Sequence, residues 1–304
     1  MGKIAFVFSG QGAQAPGMGY GFYEASERSR EVFELADSIR PGLSEMCFNG
    51  SEEELAQTIN TQPCLYTVEM AIAAAAEEAG LAADMCAGFS LGELSALTYA
   101  QAMSVPDGIK IVNARARFMQ DCSERHNTSM AAVIKLSNEQ IEQLCSSFDN
   151  IYPVNYNCPG QMSVSGDSEQ MQLFAEAVKR EGGRAKILKV NGAFHSPYMT
   201  PAADSFRKEL ENYEFAVPKI CVYSNFTGLL YQGKNITPDL SSQINNPVRW
   251  ETIVRNMIDS GADTFVELGP GKTLTGLIKR ISTDVRLFNV STPDDLEKMK
   301  GELG

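Results

Sequence analysis

The stretch Gly88-Phe89-Ser90-Leu91-Gly92 has the G-x-S-x-G pattern that places a reactive serine at a sharp turn between a strand and a helix. The backbones crowd at such a turn, so small residues are needed on both sides of the serine, and Gly88 and Gly92 supply them. The pattern is short and also occurs in ordinary strand-helix turns. It makes Ser90 a candidate nucleophile and the backbone N–H of Leu91 a candidate donor to an oxyanion.

A serine nucleophile needs a base, and the chain contains only two histidines. His126 stands in the polar segment 124–128, which is typical of a surface loop. His195 instead follows a predicted strand and precedes a Ser-Pro turn. A lone histidine at such a place is more often structural, but if Ser90 works with a histidine base, that base is His195.

An arginine is the third candidate. The spacing predicts a helix over 106–122, and Arg115 lies on its apolar stripe, three residues after Val112 and four before Met119. A guanidinium on that stripe needs an anionic partner, whereas Arg117 lies on a polar face. Arg115 has three possible roles: it binds a substrate, it forms a structural ion pair, or its side chain snorkels to solvent.

Two glycine-rich stretches resemble nucleotide-binding loops without meeting their requirements. Residues 10–15 match G-x-G-x-x-A after a strand, but Asp37, the nearest acidic candidate for a ribose, falls inside a predicted helix over 22–39. Val266 occupies the position of the first P-loop glycine before Gly271-Lys272-Thr273. The sequence therefore disfavours a dinucleotide site and a P-loop.

The composition is that of a globular protein, with 43% hydrophobic and 21% charged residues. A formal net charge of -12 disfavours partners such as nucleic acid or an anionic membrane. Seven cysteines without C-x-x-C spacing favour free thiols in a reducing compartment. We find no secretory h-region, and the longest apolar stretch, 70–76, ends at Glu77 and Glu78. These features predict a cytoplasmic protein.

The predicted elements define an α/β fold with two parts. A strand over 4–8, a helix over 61–79, a strand over 85–89 and a helix from Leu91 to about Ala102 lead to the Arg115 helix. The order βαββαβ over about 123–189 is ferredoxin-like. We therefore predict a large domain, 1–122 and 191–304, with a small domain, 123–190, inserted into it. A cleft between them is the natural site. The tail from Pro293 is predicted to be a solvated helix.

Seven motifs, in order over nearly the full length, resemble those of the malonyl-CoA:acyl carrier protein transacylases of fatty acid synthesis. They are Phe8–Gln14, Gly88–Glu93, Arg115 with Met119-Gln120, Asn155–Asn157, Gly192–Ser196, Asn246–Val248 and Glu267–Gly271. The resemblance implies an α/β-hydrolase-like core with a mostly parallel sheet and an inserted ferredoxin-like (βαββαβ) subdomain.

The resemblance also implies the catalytic roles. Ser90 would be the nucleophile that becomes malonylated, and His195 the base that takes its proton. The backbone amides of Gln11 and Leu91 would form the oxyanion hole. A backbone carbonyl, by position that of Gln243, would hold the histidine, which accounts for the lack of an obvious triad aspartate.

Acyl selection follows from the same resemblance. Arg115 would bind the malonyl carboxylate with two hydrogen bonds, and Phe194 marks malonyl over methylmalonyl selectivity. The family commonly has histidine before the nucleophile, where this chain has Phe89. Either that histidine is dispensable, which we favour, or the pocket is more apolar and malonyl selectivity is weaker.

The predicted function is transfer of malonyl from malonyl-CoA to the phosphopantetheine thiol of acyl carrier protein, with no metal or tightly bound cofactor. The alternatives are an acyltransferase of a polyketide pathway, a serine esterase or thioesterase using Ser90 and His195, and a catalytically silent carrier-docking module. Because carrier proteins are usually acidic, docking would need a local basic patch. The candidates for it are Lys186, Lys189, Lys272, Lys279 and Arg280.

Overall fold

The computed structural model describes residues 2–188, 190 and 192–303. Within these ranges the strands are β1 Lys3–Phe8, β2 Met85–Gly88, β3 Thr128–Ile134, β4 Ile151–Cys158, β5 Gln161–Asp167, β6 Arg184–Ile187, β7 Cys221–Val222, β8 Ala262–Leu268 and β9 Arg286–Val290. The α-helices are α1 Tyr20–Ala25, α2 Glu27–Ile39, α3 Leu43–Asn49, α4 Glu52–Ala56, α5 Thr58–Glu78, α6 Gly92–Tyr99, α7 Val105–Ser123, α8 Asn138–Cys145, α9 Ser168–Arg180, α10 Thr200–Leu210, α11 Thr237–Ser242, α12 Trp250–Asp259, α13 Thr273–Ile281 and α14 Pro293–Leu303.

The larger sheet is parallel and has the strand order β7-β2-β1-β8-β9. Its central strand β1 is buried from Ala5 to Phe8, as expected for a strand covered by helices on both faces. Phe8 pairs with Gly88 at the end of β2 and with Leu268 at the end of β8. The loops that follow these strands therefore leave the sheet side by side at its carboxyl edge.

The smaller sheet is antiparallel, with the order β4-β5-β3-β6 and the helices α8 and α9 between its strands. This confirms the ferredoxin-like order, and Val133, Met162 and Phe174 belong to its separate apolar core. The last strand of this order, β6, ends at Ile187. Lys189 and residue 191, where the domain boundary was placed, lie outside the described residues, so the division at 122 and 191 stays a prediction.

Two elements differ from their predictions. The helix predicted over 22–39 is divided into α1 and α2 at Ser26, which is extended and accepts a hydrogen bond from the Ser29 N–H. Ser26 is thus the N-cap of α2, and it interrupts a helix that apolar periodicity predicted as continuous. The tail helix α14 is not wholly solvated, because Leu296, Met299 and Leu303 are buried.

The long helices α5 and α7 pack against each other, and Arg115 of α7 donates a hydrogen bond to Gln62 of α5. Most of α5 is buried, including Gln62, and Arg115 lies on the buried side of α7. All seven cysteines are free; six are buried and Cys221 is exposed. No helix in the described part of the chain has both the length and the apolar character needed to cross a membrane.

Candidate active site

The turn between β2 and α6 is strained at Ser90. Its φ is 53°, in the left-handed region that a residue other than glycine seldom occupies. A Cβ on Gly88 would overlap the backbone of Gly92 and Glu93, and one on Gly92 would overlap the backbone of Phe8. Only glycine fits on either side, so this is the geometry of a nucleophile elbow.

The imidazole of His195 joins Ser90 to a backbone carbonyl. Its Nε2 lies 2.8 Å from Ser90 Oγ, and its Nδ1 lies 2.7 Å from the Gln243 carbonyl oxygen. A carbonyl only accepts, so Nδ1 carries the proton and the Nε2 lone pair faces the serine hydroxyl. Burial, and next the charge of Arg115, lower the pKa of His195 to about 4. Near pH 7 the ring is therefore a neutral base.

Arg115 is fully buried beside Ser90. Its Nη1 donates to Gln62 Oε1 over 2.7 Å, and its Nη2 donates to Gln243 Oε1 over 2.7 Å and to Ser90 Oγ over 3.1 Å. Burial lowers its pKa to about 10, so it stays charged near pH 7. Its Nε has no partner, and no carboxylate among the described residues lies within 4.0 Å of the guanidinium. Neither a structural ion pair nor snorkelling to solvent therefore explains why a charged arginine is buried at this position.

Gln11 and Leu91 line the same cavity as Ser90, and each carries a backbone N–H. Gln11 follows β1, and Leu91 is the residue that precedes α6. Both line the cavity that holds Ser90, and within the described residues neither N–H donates to a protein acceptor. Leu91 is buried and Gln11 is half-buried, and both N–H groups are available to an oxyanion on a substrate.

The site consists of a small inner pocket and a larger outer cleft. The inner pocket, of about 90 Å³, holds Ser90, Arg115, Phe194 and His195 in its wall. The outer cleft, of about 610 Å³, is lined by the segment 9–16 that follows β1, by the smaller sheet and by α13. Both cavities are lined by Gln11, Phe89, Asn155, Leu188 and Val190.

The structure thus brings all seven sequence-predicted site residues to one place: Gln11, Ser90, Leu91, Arg115, Phe194, His195 and Gln243. Phe89, the departure from the family pattern, packs its ring against Trp250 with centroids 5.7 Å apart. It forms part of the pocket wall and makes no hydrogen bond through its side chain.

Sequence reasoning missed three polar residues that hold this arrangement. The Asn225 side chain accepts from the Ser90 N–H and donates to the Gly88 carbonyl, both over 2.7 Å. Glu93 is buried under the elbow, and Gln62 holds Arg115. For Glu93 a signal existed, since a carboxyl two residues before Ser95 interrupts the small and apolar sequence of α6. For Asn225 and Gln62 no local pattern pointed to the site.

The described residues contain no cluster of three or more potential metal ligands. At the second glycine-rich loop, Glu267 accepts from the Leu274 and Thr275 amides at the start of α13. A carboxylate therefore occupies the helix N-terminus where a P-loop would hold phosphate.

A parallel α/β sheet with a serine-histidine pair at its carboxyl edge defines a serine-dependent hydrolase or acyl transferase. The model of the family described as "Acyl transferase domain" matches residues 5–290. The chain belongs to the acyl transferase family.

Within that family, the chain is similar to malonyl CoA-acyl carrier protein transacylases. The enzyme of that name from Bacillus subtilis is 36% identical to this chain. The alignment covers 98% of this chain and 96% of the Bacillus subtilis enzyme. The crystal structure of the Clostridium perfringens enzyme superposes with a TM-score of 0.96 at 37% sequence identity. The superposition covers 99% of this chain and 97% of the Clostridium perfringens chain. A type II PKS acyl-carrier protein in complex with its malonyl-transacylase has a TM-score of 0.95 at 34% identity, covering 99% of each chain.

Proposed function

We propose that this enzyme transfers a malonyl group from malonyl-CoA to the phosphopantetheine thiol of acyl carrier protein, in fatty acid biosynthesis. The observation that carries the proposal is a buried, charged arginine 3.1 Å from the candidate nucleophile, with no carboxylate of the described residues beside it. The likeness to malonyl CoA-acyl carrier protein transacylases over nearly the whole chain supports it.

In the first half-reaction the Ser90 oxygen forms a bond to the thioester carbon while its proton passes to His195 Nε2. The oxyanion of the tetrahedral intermediate accepts from the Gln11 and Leu91 amides, each donor contributing about 3–4 kcal/mol. The carbon-sulfur bond then breaks, and the departing CoA sulfur takes the proton from His195. The product is malonyl-Ser90, with its free carboxylate on Arg115.

In the second half-reaction the carrier thiol gives its proton to His195 and its sulfur bonds to the ester carbon. The ester carbon-oxygen bond breaks, and His195 returns the proton to the Ser90 oxygen. Malonyl-CoA, the acyl donor, and the carrier protein, the acyl acceptor, thus react at one site in turn, which gives ping-pong kinetics.

Two side chains select the acyl group. A planar guanidinium matches a carboxylate with two parallel hydrogen bonds, and charged bonds of this kind contribute about 1.5–3 kcal/mol. Acetyl leaves Arg115 without that partner. Phe194, which lines the inner pocket, crowds an α-methyl group, an effect of about 1–3 kcal/mol.

The assay that tests this function measures CoA release from malonyl-CoA with and without holo carrier protein. We expect rapid release only when the carrier is present and none beyond background for Ser90→Ala. Release that is equally fast without a carrier would indicate a thioesterase instead.

We further propose that the reaction uses no metal or tightly bound cofactor and that the enzyme acts in the cytoplasm, a location that free thiols favour. For the carrier we propose a basic docking surface made of Lys186, Lys272, Lys279 and Arg280. All four are exposed, and Lys279 and Arg280 lie on α13, whose Leu274 and Leu277 line the outer cleft.

A further inference from the structure

A buried carboxyl that the mechanism does not use lies directly under the elbow. Glu93 Oε1 accepts from the Asn225 N–H over 3.0 Å and from the Tyr231 hydroxyl over 2.7 Å. Its Oε2 accepts from Gln243 Nε2 over 2.6 Å. Burial raises its pKa to about 7, and the three donors and the charge of Arg115 oppose that rise. All three groups bonded to the carboxyl are donors, which favours its ionised form at pH 8.

Glu93 determines which end of the Gln243 amide faces Arg115. Gln243 Nε2 donates to Glu93 Oε2 over 2.6 Å and to the Ser90 carbonyl over 2.7 Å. A carboxylate only accepts, so the amide must turn its nitrogen toward Glu93 and its oxygen toward the guanidinium. Arg115 then donates to that oxygen over 2.7 Å.

The same arrangement keeps the negative charge one side chain away from Arg115. The side-chain acceptors of the guanidinium are two neutral amide oxygens, of Gln62 and Gln243, and the Ser90 hydroxyl. A carboxylate in direct contact would form an ion pair and compete with an anionic substrate group. Through the Gln243 amide, the charge of Glu93 offsets the buried cation and leaves its free N–H groups for a ligand.

We propose that Glu93 is a positioning residue for acyl selection, which holds the Gln243 amide so that Arg115 stays available to the malonyl carboxylate. The inference rests on the proposed function. It concerns the ratio of malonyl to acetyl transfer, a quantity that loss of stability alone does not change.

The first test is Glu93→Gln, with kcat/KM for acylation by malonyl-CoA and by acetyl-CoA measured at pH 8. An amide at 93 must turn its NH₂ toward the Gln243 amide nitrogen or toward the Asn225 N–H, so one donor loses its acceptor. We expect the malonyl:acetyl ratio to fall at least tenfold. In an Arg115→Ala background the same substitution should change the ratio less than twofold. The control is Tyr231→Phe, which removes another bond to Glu93 and should keep the ratio within twofold.

A second variant exchanges the two groups, Glu93→Gln with Gln243→Glu. The amide at 93 can then accept from Asn225 and Tyr231 and donate to the carboxylate at 243, which restores the 93–243 bond, while the Ser90 carbonyl loses its donor. The carboxylate now touches Arg115, so we expect a folded enzyme whose malonyl:acetyl ratio is again at least tenfold lower.

A ratio within twofold of wild type in either folded variant would overturn the inference, and so would an equal fall for Tyr231→Phe. Loss of the fold in both variants, measured by circular dichroism, would also overturn it, because the role would then be structural. A wild-type enzyme without malonyl preference would overturn the proposed function and this inference with it.

Discussion

The hydroxyl of Ser90 lies between a base and a cation, with His195 Nε2 at 2.8 Å and Arg115 Nη2 at 3.1 Å. One oxygen is thus placed to lose its proton to the imidazole while the guanidinium stands where the far end of a short acyl group would lie. This relationship connects reactivity and acyl choice, because a substrate that satisfies the arginine also brings its carbonyl to the serine.

Arg115 should affect the preference for malonyl-CoA over acetyl-CoA more than it affects the rate of acylation by acetyl-CoA. We expect Arg115→Ala to lower kcat/KM for malonyl-CoA by about 10-fold to 150-fold, as the loss of about 1.5–3 kcal/mol implies. The value for acetyl-CoA should change much less. Arg115→Lys is the matched control, which keeps the charge and loses the planar pair of donors, and it should recover only part of the preference. Equal losses for both thioesters would contradict this role.

His195 should stay neutral far into the acid range. In a His126→Gln variant it is the only histidine, so its ring signals can be followed by NMR from pH 3.5 to 8. We expect a midpoint near 4, and a higher one when Arg115→Ala removes the neighbouring charge. In the unfolded chain the pKa of a histidine is about 6.5. His195 therefore contributes fully to the free energy of unfolding above that pH, and this contribution is lost as the pH falls toward 4. A midpoint near 6.5 in the folded protein would contradict the buried geometry.

Much of the site could be predicted from the sequence because its parts are local. The elbow needs Gly88, Ser90 and Gly92 within five positions, and the scarcity of histidine reduced the base to His195. The fold class followed from the alternation of strands and helices. Each of these features is specified by neighbours in the chain.

The rest depended on contacts between distant segments. Asn225 reaches Ser90 across 135 positions and Gln243 reaches Glu93 across 150, so no spacing in the sequence indicates either bond. The division at Ser26 was missed for another reason, because the apolar periodicity continues across the capping serine.

Phe89 should not weaken malonyl selection. Its ring packs on Trp250 and forms pocket wall, whereas the carboxylate partner Arg115 is held independently by Gln62 and Gln243. We expect Phe89→His to leave the malonyl:acetyl ratio of kcat/KM within about threefold of wild type, well under the discrimination of one charged bond. A large gain in malonyl preference in the variant would show that the apolar wall relaxes selection.

The proposed docking surface should respond to charge reversal. We expect Lys186→Glu with Lys279→Glu to raise KM for the carrier about tenfold at low salt, and much less at 0.5 M salt, because screening removes the attraction. Lys298→Glu on α14 is the control, since that helix lines neither cavity. An unchanged KM at low salt would exclude this surface.

The most direct measurement is intact-protein mass spectrometry after brief exposure to malonyl-CoA, beside acetyl-CoA and a Ser90→Ala variant. We expect one malonyl adduct on the wild type, little acetyl adduct, no adduct on Ser90→Ala, and discharge of the malonyl group by holo carrier protein. An adduct that persists on Ser90→Ala, or free CoA without any adduct on the wild type, would contradict a malonyl-Ser90 intermediate.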